Sequence, residues 1–275
     1  MTRENYDLQL QNLREAVIGM ASMVDKAIAR SVDALKRQDF ELAQQVISDD
    51  QHINQARWRT EELALLIIAT QAPMARDLRM ISAVIHIATE LERMADHAAG
   101  NSKIVLQTAD EPLLKPLVDI PRMGGLCRDM LTDSITAFIN SDASLARDIV
   151  DRDDQVDDLY NQIYRELLTY MMADPGTINR ATHLLWASHN LERIADRVTN
   201  ICERVIFAET GRLEGTTTPN YYRCSVFGVR CSVNDRTTLV GAVSGTPVCC
   251  VTGCFARPTM ADDAGRASIR RFRRA

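Results

Sequence analysis

The chain has 275 residues, of which 46% are hydrophobic, 5% aromatic and 25% charged, with a formal net charge of −5 at neutral pH. That composition is ample for a folded core, and no nucleic acid is expected as a partner of the helical part of the chain. The longest apolar run, Leu63 to Ala69, is far short of the ~18 residues needed to cross a bilayer, and no secretory apolar region opens the chain. A soluble, cytoplasmic protein is the expectation, with membranes reached only through a partner.

From Tyr6 to Leu35 the apolar residues Leu10, Leu13, Val17, Met20, Val24, Ile28, Val32 and Leu35 advance by three or four, the period of a helix. Gln38-Asp39 interrupts that pattern, and Asp39 is placed to cap a second helix through Leu42, Val46, Ile53, Leu63 and Leu66 to about Thr70. After Pro73 a third runs through Leu78, Ile81, Val84, Ile85, Ala88, Leu91, Ala95 and Ala98 to about Leu106. Pro112, Pro116 and Pro121 mark a linker, and the cycle restarts with helices over residues 123–140, 142–172 and 177–208. The small residues Ala88, Ala95, Ala98, Ala187 and Ala195, and the tryptophans Trp58 and Trp186, are assigned to packing.

Two three-helix units of about 100 residues follow, the first within residues 1–110 and the second within 111–210. The fold class is all-α: two tandem three-helix bundles, six long helices, and an irregular C-terminal tail.

The repeat carries its own chemistry. Leu91-Glu92-Arg93-Met94-Ala95-Asp96 recurs 100 positions later as Leu191-Glu192-Arg193-Ile194-Ala195-Asp196. Each copy puts two carboxylates four residues apart, stacked on one helix face, where they repel. A compensating cation is expected.

Each motif also has an upstream companion, Asp50 and Asn54 for the first and Asp153 and Asp157 for the second. If each hairpin turns at Gln71-Ala72-Pro73 or Asp174-Pro175-Gly176, antiparallel register brings Asp50 level with Asp96 and Asn54 with Glu92. In the second half it brings Asp153 to Asp196 and Asp157 to Glu192. Two four-oxygen clusters are therefore expected as metal sites. Their hard oxygens suit Mg, Ca, Mn or Fe better than Zn or Cu(I). Because Asn54 is neutral where Asp157 is charged, the second cluster is expected to hold a divalent metal more firmly. His52 and His97 are read as surface residues.

The segments Pro73-Met74-Ala75-Arg76-Asp77-Leu78-Arg79, Leu91-Glu92-Arg93 through Asp96, Leu191-Glu192-Arg193 through Asp196, and Leu10 to Asp25 resemble, as a set, the PhoU family of phosphate-signalling proteins. The resemblance covers roughly residues 4–212. It implies a cytoplasmic negative regulator of phosphate uptake and of the phosphate-starvation response, linking the ATPase subunit of a phosphate transporter to a sensor histidine kinase, and a homodimer as the assembly. It also implies metal on Asp50, Asn54, Glu92, Asp96, Asp153, Asp157, Glu192 and Asp196, with Fe, Mn, Mg or Zn as the candidate ions.

Catalysis is not expected. No Gly-rich phosphate loop, Gly-x-Ser-x-Gly elbow or Cys/His nucleophile pair is present, and none of the five histidines follows a glutamate at three residues as di-iron bundles require. The alternative is a metal-free helical adaptor whose acidic clusters attract a basic partner.

Residues 211–275 break with all this. They hold ten Arg, no Lys and four acids, five of the seven cysteines and seven of the twelve glycines, without helical period. They are read as disordered or translated out of frame, with a small Cys-rich module as the third reading. Cys224, Cys231, Cys249, Cys250 and Cys254 lack the Cys-x-x-Cys spacing of a zinc site.

Overall fold

The computed structural model describes residues 3–108 and 111–212, together with the backbone of four short strands between 221 and 248. Two compact units result, residues 1–216 and 217–275.

In the first unit the long helices are α1 (Arg3–Arg37), α2 (Phe40–Gln71), α3 (Ala75–Gln107), α4 (Asp119–Asn140), α5 (Ala143–Val150), α6 (Asp153–Ala173) and α7 (Ile178–Thr210). Asp39 caps α2 as its sequence position predicts, its carboxylate accepting from Leu42 N at 2.9 Å. Asp142 does the same for α5, accepting from the backbone of Ser144 and Leu145. At the end of α2, Ala72 adopts a left-handed conformation (φ 46°) ahead of Pro73, which reverses the chain into α3.

The helix expected over residues 142–172 is two helices. The stretch Asp148 to Asp154 places four aspartates in seven residues, which are weak helix formers and mutually repulsive. The ladder tightens there to a three-residue step, Arg152 N to Ile149 O at 3.0 Å, and Arg152 reaches across to Asp133 on α4 at 2.7 Å. As a result Asp153 and Asp154 occupy the first turn of α6, where the positive end of the helix dipole favours carboxylates. Asp50 has no such position, lying well inside α2.

One continuous core runs through the bundle. Leu13, Val17, Met20, Val24 and Ile28 of α1, Ile81, Val84 and Leu91 of α3, and Leu191, Ile194, Val198 and Ile201 of α7 are all fully or almost fully buried. The alanines Ala88, Ala95, Ala98, Ala187 and Ala195 are likewise buried. Other packing expectations fail: Trp58 and Trp186 are 57% and 53% exposed, and Leu66 and Leu78 also face solvent. In α2 it is Ile67, one residue on, that turns inward.

α3 packs against α1, α2 and α7, and α7 against α3, α4, α5 and α6. These two central helices run antiparallel: Arg76 pairs with Glu209 at one end, and Asn190 donates to Asn101 towards the other.

The second unit is described as two antiparallel backbone pairs, Tyr221–Cys224 with Val229–Ser232 and Gly241–Val243 with Thr246–Val248. The readings of the tail, and of its five cysteines, otherwise lie outside the described residues.

Candidate functional site

Both Leu-Glu-Arg motifs sit midway along the central helices. Leu91, Met94 and Ala95 face the core, and so do Leu191, Ile194 and Ala195, which turns each acidic pair outward. The hydrophobic stripe thus fixes the direction of the carboxylates.

In the first half the antiparallel register works as the turn geometry implies. Burial and then the charge of Asp96 lift the Asp50 carboxyl above the ordinary aspartate range, against Lys103 and a hydrogen bond from Asn54. Burial and then Asp96 lift Glu92 as well, with Asp50 adding to the repulsion. Asn54 donates to Asp50 Oδ2 at 3.2 Å. Asp50 Oδ1 is buried and has no hydrogen-bond partner among the described residues. Asp50, Glu92 and Asp96 therefore feel one another's charge, and Asn54 joins them through Asp50.

Lys103, Arg57 and Arg93 offset the repulsion at that site only in part. The arginines near Glu92 are held elsewhere, Arg57 by Glu61 at 3.5 Å and Arg93 by Glu90 at 3.6 Å. Among the described residues none of Asp50, Glu92 and Asp96 forms an ion pair.

The second half is arranged differently. Arg193 donates to Asp196 Oδ2 at 2.8 Å, and His189 Nδ1 lies 2.9 Å from Glu192 Oε2. Burial and then Asp196 lift the Glu192 carboxyl, opposed by His189 and Arg193. The Tyr160 ring lies 6.0 Å from that of His189, and burial followed by the charge of Glu192 raises its hydroxyl pKa. Asp153 lies near the buried Cys127 thiol on α4, whose pKa is driven far up by burial and then by that carboxylate. Asp157 is half-buried one turn further along α6.

Each cluster has a buried carboxylate oxygen without a hydrogen-bond partner among the described residues, Asp50 Oδ1 in the first and Glu192 Oε2 in the second, and oxygen donors of this kind suit a hard cation. Among the described residues, no three His, Cys, Asp or Glu side chains converge closely enough to hold a metal ion as they stand. Coordination would need rotation of the side chains, and at the second cluster also release of Asp196 by Arg193.

His97 departs from its surface reading. It is half-buried, its Nδ1 lies 3.4 Å from Asn190 Oδ1, and burial lowers its pKa. It belongs to a polar seam between α3 and α7. There Glu90 Oε2 accepts from Arg197 at 3.4 Å and Asn200 at 3.2 Å, while Asn190 donates to Asn101 at 2.9 Å. Positions 90 and 190 are equivalent in the repeat, so the seam is the same contact made twice with different residues. His189 and Glu90 are neighbours of the acidic motifs that sequence reasoning passed over, although aligning the two copies exposes Thr89 against His189 and Glu90 against Asn190.

A protein-family model described as the PhoU domain matches residues 17–105 and again 120–205. The chain is 40% identical over 205 residues to the phosphate-specific transport system accessory protein PhoU homolog of Aquifex aeolicus, covering 74% of this chain and 93% of that protein. It is 40% identical over 212 residues to the homolog of the same name in Caulobacter vibrioides, covering 76% and 92%. Two crystal structures superpose on the bundle: the phosphate transport system regulatory protein PhoU from Streptococcus pneumoniae (TM-score 0.71, 34% identity, 76% of this chain and 99% of that one) and PhoU from Pseudomonas aeruginosa (TM-score 0.72, 34%, 75% and 100%).

Proposed function

The chain belongs to the PhoU family, and from that premise we propose that it is an accessory regulator of a phosphate transport system, restraining phosphate uptake and the starvation response when phosphate is plentiful. The observation that carries this reading is the match of the family model to both repeats, residues 17–105 and 120–205, with the relatives matched over nearly their whole length. Its partners are the ATPase subunit of the transporter and a sensor histidine kinase, and its setting is the cytoplasm, as a homodimer. No helix among the described residues is long and apolar enough to cross a membrane, which leaves membrane contact to those partners.

The acidic clusters are the surface by which a cation enters this function. Asp50, Asn54, Glu92 and Asp96 would hold a hard cation, and Asp153, Asp157, Glu192 and Asp196 form the second copy. Bound there, the ion supplies positive charge that relieves the repulsion among the carboxylates. The chain's own residues set the rest: the buried faces of α3 and α7 aim the acids outward, and Asn54 orients Asp50.

A second reading, the metal-free adaptor, draws support from the absence of any converged ligand set among the described residues. The test for the main reading is co-purification of the full chain with the transporter ATPase and the cytoplasmic part of the kinase, at high and low phosphate, with and without chelator. Phosphate-dependent capture of both partners supports regulation. Capture unchanged by chelator favours the adaptor, and capture of neither partner contradicts both readings.

A further inference from the structure

The segment Pro73 to Arg79 plays no part in the acidic clusters, yet its charged residues meet around a cavity of their own. Arg76 and Asp77, in the first turn of α3, line a hollow of about 340 Å³ together with Arg14 of α1 and Ser141 at the left-handed end of α4. That volume falls within the roughly 300–1,000 Å³ of small-ligand sites. Met80, Phe138 and Val205, all buried, supply its apolar part, and Glu209 near the end of α7 completes the lining. Four helices from both repeats thus build one site. Its charges are in three different states. Arg14 is exposed and forms no hydrogen bond or ion pair among the described residues. Arg76 holds Glu209 loosely, at 3.3 Å with its own side chain 73% exposed. Asp77 is fixed: Tyr6 of α1 donates to its Oδ2 at 2.8 Å, and burial and then that bond push the phenol pKa up to about 12, so the donor keeps its proton at neutral pH. Arg79 is spent nearby, its Nε donating to Ala208 O at 3.3 Å.

We propose that this cavity binds a tetrahedral oxyanion that still carries a proton, hydrogen phosphate either free or as a monoester, between Arg14 and Arg76 and against Asp77. A guanidinium fork matches two oxygens of such an anion, and Arg14 has its whole set of donors to give. Arg76 adds a second fork, and its five N–H donors let it hold the anion and Glu209 together. The first turn of α3 adds the positive end of a 33-residue helix, whose N-cap Met74 brings no side-chain acceptor. Asp77 then sets the selectivity. A fully ionised anion such as sulfate meets that carboxylate as a like charge, whereas hydrogen phosphate turns its P–OH towards it and donates. The lining is neutral as a whole, Arg14 and Arg76 against Asp77 and Glu209, so it is no general trap for anions. Arg76 lies about 24 Å along α3 from Glu92 at ~1.5 Å per residue, which keeps this site apart from the acidic clusters and independent of the cation reading. It goes beyond the regulatory reading by giving the chain its own contact with phosphate.

Isothermal titration calorimetry on the full chain tests it, with inorganic phosphate, sulfate and glycerol 3-phosphate as separate titrants. Chelator is present throughout, so that no cation bridges phosphate to the acidic clusters, and circular dichroism confirms that each variant is folded. Phosphate should bind, and sulfate should bind at least about tenfold more weakly. Arg14→Gln and Arg76→Gln should each weaken phosphate binding about tenfold, the scale of one charge-assisted hydrogen bond. Asp77→Asn should narrow the gap between phosphate and sulfate. Arg14 supports no other side chain, so Arg14→Gln remains decisive if the Asp77 variant, which disturbs Tyr6, fails to fold. Tighter binding of glycerol 3-phosphate assigns the ligand to organic phosphates and tighter binding of inorganic phosphate to the free ion; either result supports the site. No binding of either phosphate at millimolar concentration, sulfate binding as tightly as phosphate, phosphate binding untouched by Arg14→Gln, or an unchanged gap in folded Asp77→Asn would overturn the proposal. The titration involves no partner protein, so the regulatory reading stands or falls separately.

Discussion

Arg128 on α4 grips Asp25 on α1 through two bonds, Nε to Oδ1 at 2.7 Å and Nη2 to Oδ2 at 3.0 Å. This fork joins the first repeat to the second across 103 residues of sequence, on the flank of a core built from both. Both side chains are partly exposed, so the pair is worth about 1 kcal/mol by the usual measure of surface pairs, with bidentate geometry favouring the upper end. Arg128→Gln should lower stability by about that amount. A double-mutant cycle with Asp25→Asn measures the coupling, and a coupling near zero would make the fork incidental.

Gly124 and Gly125 should answer the same substitution with opposite signs. A Cβ at Gly124 would stand 2.9 Å from Val32 Cγ2 on α1, and valine's restricted χ1 leaves that methyl little room to yield. A Cβ at Gly125 meets nothing within 4 Å. Gly125→Ala should therefore stabilise by up to about 1 kcal/mol through helix propensity. Gly124→Ala should destabilise by about 1 to 3 kcal/mol through overpacking, less that same propensity gain. Chemical denaturation of the two variants decides it, and equal shifts would show that α1 and α4 are not in close contact there.

The first acidic cluster makes the metal-free chain sensitive to pH in a defined direction. Asp50 and Glu92 have folded pKa values raised above their ordinary ones, so in the window between ordinary and raised values the folded state binds more protons than the unfolded. Stability then falls as pH rises through that window, and the penalty is absent below the ordinary carboxylate range. Glu92→Gln removes part of the repulsion. It should match the parent near pH 4 and exceed it near pH 7 by about 0.2–0.5 kcal/mol, the scale of a like-charge pair one turn apart. Melting in chelator across that range is the measurement. A constant difference at every pH would place the effect outside ionisation.

The sequence was legible where period and repeat carry the information. Helix period gave α1 to α4 and α7, Asp39 gave a cap, and the duplicated Leu-Glu-Arg motif gave the register that brings Asp50 and Glu92 under the influence of Asp96. It was illegible where a choice depends on neighbours in space. Trp58 and Trp186 look like core residues by type but stand at the wrong phase of their helices. The break at Asp151-Arg152 is set by local aspartate density inside an otherwise helical pattern. Which way an arginine leans is the hardest to read. Arg93 and Arg193 sit in hexapeptides that differ only at Met94 and Ile194, and the residue three places earlier is Glu90 in one copy and Asn190 in the other.

The central claim, that this chain restrains phosphate uptake, is tested most directly in cells lacking their own family member. Initial uptake of radiolabelled phosphate is measured at high external phosphate, with and without the chain expressed. The account predicts that the chain brings the rate down, and that Asp50→Asn with Glu92→Gln weakens this effect. An uptake rate unaltered by a folded, expressed chain would contradict it.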